Sequence, residues 1–238
     1  RFAGITFVGR RRRPSGERPP LPRELGSGGW YWLISGIVVV GIWISLFAWP
    51  ASSNWWTERD LDVINWFVDL RNATLTALAK AVHALGSVWL LRPLRWAIIL
   101  VLIFVRRFRA MFGVLISILL VGQLAVGLTY LVARTRPLVD MIGEWQGYAH
   151  PSVPVAGLSV TLAAVGFALI PKGRWRRYWF VASGVMVLAL GLARVYLGVD
   201  HPTDVWTAAM LGWSVPVLVF RLFVPEAVFP VTYRRGVT

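Results

Sequence analysis

Within ARVYLGVDHPTDV (193–205), Arg194, Asp200, His201 and Asp204 stand between two long apolar runs. These are the side chains of phosphate chemistry. A guanidinium offers a planar fork to phosphate oxygens, and an imidazole oriented by a carboxylate can attack phosphorus or carry a proton. Two similar polar islands lie elsewhere in the chain. ARTRP (133–137) supplies Arg134 and Arg136, and HPSVPVAG (150–157) supplies His150 and Ser152 just ahead of an apolar run. At a helix start, a serine hydroxyl and backbone N–H groups can donate to an anion. Taken singly, each island has an ordinary structural explanation. Arg136–Pro137 can end a helix with its guanidinium reaching back to water. Asp200 and Asp204 complement the start of a helix that has Pro202 in its first turn. Only the meeting of all three islands makes a site, and that depends on the elements between them.

Those elements are apolar. Of the 238 residues 57% are hydrophobic and 15% are charged, whereas about a quarter is usual for a soluble domain. Fourteen Trp suit a membrane–water boundary, where one edge of the ring is apolar and the other wet. A helix needs about 20 mostly apolar residues to cross a bilayer. Six segments meet or approach that length: Trp30–Trp49, Val88–Val105, Ala110–Val132, Val155–Ile170, Tyr178–Leu197 and Val205–Val224. The expected fold is therefore all-α, a polytopic bundle of six transmembrane helices. Between the first two spans, Leu61, Ile64, Phe67, Val68 and Leu75 recur at helical spacing, so Asn54–Leu85 is expected to lie along the interface. Gly113, Gly122 and Gly127 read as helix-packing positions. The absence of Cys excludes disulfides and thiolate metal sites.

The formal net charge of +14 is unevenly placed. With six spans and the N-terminus inside, the arginines before Trp30, the Arg106–Arg109 and Lys172–Arg177 clusters, Arg221, Arg234 and Arg235 share one face. The positive-inside rule makes that face cytoplasmic, with both termini on it, in a multi-pass cell-membrane protein. The three islands then meet on the extracytoplasmic side. The RRRR run at 10–13 is read as a topology signal and a contact for anionic inner-leaflet lipids, with no nucleic-acid partner. Residues 1–29 are expected to form a basic, disordered tail, 30–224 the membrane domain, and 225–238 the start of a cytoplasmic linker. Both ends look like cuts in a longer polypeptide with further domains.

The islands resemble the signature motifs of the type-2 phosphatidic acid phosphatases, which share a fold with the vanadium haloperoxidases. The pattern is Lys, six residues, Arg-Pro; then Pro-Ser-Gly-His; then Ser-Arg, five residues, His, three residues, Asp. The resemblance covers Asn54 to Phe220 in order, spacing and sidedness. It implies a helical membrane lipid-phosphatase fold without a cofactor. It further implies that Arg136, Ser152 and Arg194 hold phosphate and that Asp204 orients a histidine; Arg134 is a further guanidinium beside them. A metal set drawn from Asp140, Glu144, Asp200, Asp204, His150 and His201 is conceivable, but the neighbouring arginines favour charge pairing over ligation.

Against that pattern the chain departs at several positions. Thr129 stands at the Lys position, Val153 and Pro154 replace Gly-His, and Ala193 replaces Ser. Five residues beyond Arg194 comes Asp200, so the nucleophile position holds a carboxylate and His201 falls one residue late. One residue turns a helical side chain by about 100°, while an attacking atom must lie about 3–3.5 Å from phosphorus and in line. The expected function is thus a phosphatidic acid phosphatase-like membrane module, catalytically impaired, acting as an anchor, a scaffold or a binder of lipid headgroups. Asp200 is expected to pair with Arg194 or Arg136 where phosphate would otherwise sit. The alternative is an active lipid phosphatase or diphosphatase working through displaced His201 and His150, with Asp204 and conceivably Asp200 in support. A channel or transporter is disfavoured because charged residues inside the spans are nearly absent.

Overall fold

The computed structural model describes Val38, residues 50–143 and residues 146–224. The expected first span, Trp30–Trp49, lies outside these residues but for Val38, as do the basic tail 1–29 and the linker 225–238. Among the residues from 50 to 224 that are described, seven α-helices follow in order: α1 (Pro50–Asp69), α2 (Ala73–His83), α3 (Val88–Phe104), α4 (Phe108–Val132), α5 (Val153–Ala168), α6 (Arg174–Tyr196) and α7 (Pro202–Phe223). A single 3₁₀ turn, Ala84–Gly86, joins α2 to α3.

Among the described residues four stretches are long and apolar enough to cross a membrane: Ala73–Phe104, Phe108–Val132, Arg174–Tyr196 and Pro202–Phe223. The expected span at Val155–Ile170 differs from these. Its helix, α5, has 16 residues, about 24 Å at 1.5 Å per residue, against a hydrocarbon core of about 30 Å. It is apolar on every side and buried along nearly its whole length, as a helix at the centre of a bundle must be. α4, α6 and α7 surround it, with α7 the most extensive neighbour.

Close packing around α5 rests on small residues. A side chain at Gly212 of α7 would press on the Ser159 side chain and on the backbone of Ala156 and Val160. The two helices meet there backbone to backbone, as small residues permit in membrane bundles. At the opposite end of the helices from the three polar islands, Val105–Arg107 joins α3 to α4, and Leu169–Gly173 joins α5 to α6.

The expected interfacial segment is two helices, not one. Asn72 breaks the run and caps α2, its side chain accepting from the Leu75 N–H at 2.9 Å. The break is held from α6: Arg71 donates to the Tyr196 carbonyl through Nε and Nη2, and Tyr196 Oη lies 3.1 Å from Thr76 Oγ1. Ile64 is fully buried and Leu61, Phe67 and Val68 partly so, whereas Leu75 is exposed.

Gly212→Val is expected to destabilise the fold by about 1–3 kcal/mol through overpacking against α5. Thermal unfolding in detergent, compared with Gly122→Val at a position facing open space, measures the difference.

Candidate functional site

The chain enters the site from α4 through Ala133, which adopts a left-handed conformation (φ 47°) and ends the helix, its N–H bonding to the Thr129 carbonyl. Arg134 and Arg136 follow in irregular backbone free to reach sideways. α6 ends by a different device. Gly198 (φ 73°) donates to the Val195 carbonyl and Val199 donates to the Arg194 carbonyl, the paired bonds of a glycine-terminated helix. That turn folds the chain back, so that Asp200 faces Arg194 six residues earlier. α7 then starts at Pro202, with His201 as its N-cap and Asp204 in its first turn.

Two buried carboxylates organise what gathers here. Asp200 takes a bidentate pair from Arg194, Nε to Oδ2 and Nη2 to Oδ1, and accepts from Arg136 Nη1 at 3.1 Å. The expected pairing therefore involves both arginines. Arg136 is fully engaged by the chain. Besides Asp200, its Nη1 donates to the Val199 carbonyl, Nε to Gly147, and Nη2 to Gln146 and Tyr148. A guanidinium has five N–H donors, and all five are accounted for. His83, at the end of α2, lies 3.4 Å from Arg194 Nη1 through its Nδ1.

Asp204 centres the other cluster and is completely buried. Oδ1 accepts from Arg134 Nη1 and from His150 Nδ1, each at 2.8 Å. Oδ2 accepts from the ring Nδ1 of His201 at 2.8 Å and from its backbone N–H at 3.1 Å. A carboxylate accepting from four donors is ionised, so both imidazoles present Nδ1–H to it. This orientation leaves Nε2 of each ring as the atom able to accept a proton or attack. Arg134 also binds Asp60 of α1 (2.9 Å) and Thr203 Oγ1 (2.8 Å), and Asp60 accepts from the Thr203 backbone N–H at 3.2 Å.

The neighbours Asp200 and His201 thus serve different clusters, Asp200 the paired arginines and His201 the α7 carboxylate. Ser152 caps α5, its N–H bonded to the Asp204 carbonyl at 3.2 Å. Its hydroxyl is buried and makes no hydrogen bond among the described residues. Thr129 turns its hydroxyl onto the Ala125 carbonyl of its own helix at 2.8 Å, and Pro154 sits in the first turn of α5. Of the conceivable metal ligands, Asp140 enters only through its carbonyl, bound by Arg71 at 2.6 Å, and Glu144 lies outside the described residues.

Sequence reasoning missed Asp60, Thr203 and His83. Asp60 had a signal: it falls four residues before Ile64 on the inward stripe of α1, a carboxylate where an apolar residue is the rule. Asp60→Ala should destabilise the protein by about 1–3 kcal/mol, because it takes one of two carboxylates from the part-buried Arg134 and leaves the Thr203 N–H without its acceptor. Asp60→Asn, which keeps an acceptor for the Thr203 N–H, should cost less. Thermal unfolding of the two variants side by side checks the order.

Comparison with known proteins gives a fold and no closer kinship. No family model and no curated protein matches the sequence. Among solved structures, the chain superposes on a transmembrane PAP2-type phosphatidylglycerolphosphate phosphatase from Bacillus subtilis with a TM-score of 0.69 and 19% identity. The match covers 85% of this chain and 98% of that one. It also superposes on LpxE from Aquifex aeolicus with a TM-score of 0.55 and 20% identity, over 68% of this chain and 94% of that one. The chain has the PAP2 membrane-phosphatase fold.

Proposed function

We propose that this PAP2-fold membrane protein is a lipid-phosphate-binding module whose phosphate position is filled by its own Asp200, so that hydrolysis is impaired. The observation that carries the reading is the state of Arg194 and Arg136. The first holds Asp200 bidentately and the second has every donor committed to Asp200 and to backbone carbonyls. A phosphate entering between them must displace a buried carboxylate of like charge. It would also meet neither a lysine at Thr129 nor an acid at Pro154. In this reading the module serves as an anchor, a scaffold or a headgroup binder, with the end that carries Arg106, Arg107, Arg174, Arg176 and Arg177 facing the cytoplasm.

One observation favours some residual anion binding. The Ser152 hydroxyl, a phosphate donor by the family resemblance, is buried with no partner among the described residues, and such groups are uncommon without a reason. Another favours the alternative of an active lipid phosphatase: His201 is held by Asp204 through Nδ1, the arrangement that presents Nε2 for attack. That reading requires Asp200 to leave the arginine pair so that a phosphate can take its place.

Binding of orthovanadate or inorganic phosphate separates these accounts. Asp200→Asn is expected to raise anion affinity at least about tenfold, equivalent to about 1.4 kcal/mol. It should also make the protein's thermal midpoint rise with phosphate more than the wild type's. A fall in affinity would show that Asp200 is not a plug. Phosphate release from phosphatidylglycerolphosphate is expected at background level for the purified wild type; release that His201→Ala abolishes would establish the active reading instead.

A further inference from the structure

Asp200 and its two arginines have a neighbour that belongs to none of the three polar islands. His83 closes α2, and its Nδ1 lies 3.4 Å from Nη1 of the buried Arg194. A guanidinium has donors and no acceptor, so Nδ1 takes this hydrogen bond and the ring carries its proton on Nε2. His83 is therefore a neutral imidazole where it stands.

Packing holds the ring in place. Ala79, one turn before His83, joins a buried cluster with Ala193, Tyr196, Leu197 and Val199, and Val82 packs against it. The chain then tightens into the 3₁₀ turn, and Gly86 enters between α5 and α6. A Cβ there would lie 2.8 Å from the Pro154 side chain and 3.0 Å from that of Leu190. The turn that follows His83 thus rests on the position where the family resemblance expects an imidazole and this chain has proline. A histidine reaches the cluster from α2 instead.

Charge decides what such a ring does. Among the described residues, Arg194 on α6 and Asp200 just beyond it are the charged groups that act on it, with Arg136 behind Asp200. The 3₁₀ turn and the first turn of α5 carry no charge. Lys80 lies one turn back on α2 itself and is exposed. With Asp200 in place, its carboxylate answers Arg194. A tetrahedral dianion in place of Asp200 brings one more negative charge to the same point. The arginines are already charged and cannot respond, whereas an imidazole gains a proton near neutral pH. An opposite charge within about 4–6 Å favours that gain. Once protonated from the solvent, Nδ1 can no longer accept from Arg194 and donates to the anion that Arg194 holds.

We propose that His83 is a third ligand of this anion site, one that takes up a proton and donates to a phosphate, or another tetrahedral dianion, that displaces Asp200. The inference rests on the reading of Asp200 as a plug and adds the group that responds when the plug is displaced. The proton is held more tightly with the anion bound, so anion affinity rises as pH falls.

Sulfate is the probe, because it stays a dianion while histidine titrates. It is titrated calorimetrically into the full chain in detergent at about pH 8 and about pH 5.5, on either side of the imidazole range. Asp200→Asn is expected to bind sulfate about tenfold more tightly at the lower pH, taking up about one proton per sulfate. The proton is counted from the difference in heat between two buffers. His83→Gln in the same background keeps an acceptor for Arg194 and cannot titrate, so both effects should vanish. A pH dependence that survives His83→Gln belongs to His150 or His201 and overturns the proposal. So does an affinity that is flat with pH in Asp200→Asn alone. If Asp200→Asn binds sulfate no better than the wild type at either pH, the plug reading falls and this inference falls with it. Nitrogen-15 NMR of the histidine-labelled wild type needs no anion: His83 should show a bare Nδ1 and a protonated Nε2 at neutral pH. A proton on Nδ1 overturns the assignment. Short-chain phosphatidic acid and inorganic phosphate, each competing with sulfate on Asp200→Asn, distinguish the source of the ligand. Tighter competition by the lipid supports a headgroup at His83, equal competition supports the free anion, and competition by neither overturns the site.

Discussion

The Asp200 carboxylate between Arg194 and Arg136 is the interaction around which one end of this molecule is arranged. Both arginines would be costly to bury alone. With Asp200 present, α6, the α4–α5 connection and the start of α7 are tied at one point. The tie depends on a local feature, the glycine-terminated end of α6. Without the left-handed turn at Gly198 the chain could not return Asp200 to the side chain six residues before it. Backbone geometry thus determines the electrostatics of the cluster.

Asp204 does similar work one turn into α7, with different partners. It gathers two imidazoles and Arg134, and through Arg134 it reaches Asp60 on α1. A histidine–carboxylate pair suited to nucleophilic chemistry and an arginine pair suited to phosphate are therefore both present. They are assembled around separate carboxylates. Adjacent residues, Asp200 and His201, belong one to each.

The bundle supports this arrangement by burying nearly all of α5. A short helix of small and branched residues can be enclosed on all sides, and its start then presents Ser152 beneath α7. The same enclosure brings Gly157 and Thr161 against Arg95, so a helix that positions the polar clusters at its N-terminus also seats a cation along its flank. The two features share a framework and differ in chemistry: the arginines at its start are met by carboxylates, whereas Arg95 is met by the Thr161 hydroxyl and the Gly157 carbonyl.

Much of the fold was legible in the residues alone. Apolar run lengths located α3, α4, α6 and α7, because hydrocarbon demands long apolar helices whatever their neighbours. The positions of Arg136, Arg194, Asp200 and Asp204 were equally plain, and so was the one-residue offset of His201, because spacing along a chain is countable. The partners of those groups were not legible. Asp60 joins Arg134 from 74 residues away, His83 reaches Arg194 from a segment read as interfacial, and His150 and His201 share a single carboxylate. Hydrogen bonds are decided within a few tenths of an ångström, and burial removes the water that would otherwise make every pairing nearly equivalent. Composition and spacing determined which charges this protein owns; only the packed helices decided which of them meet.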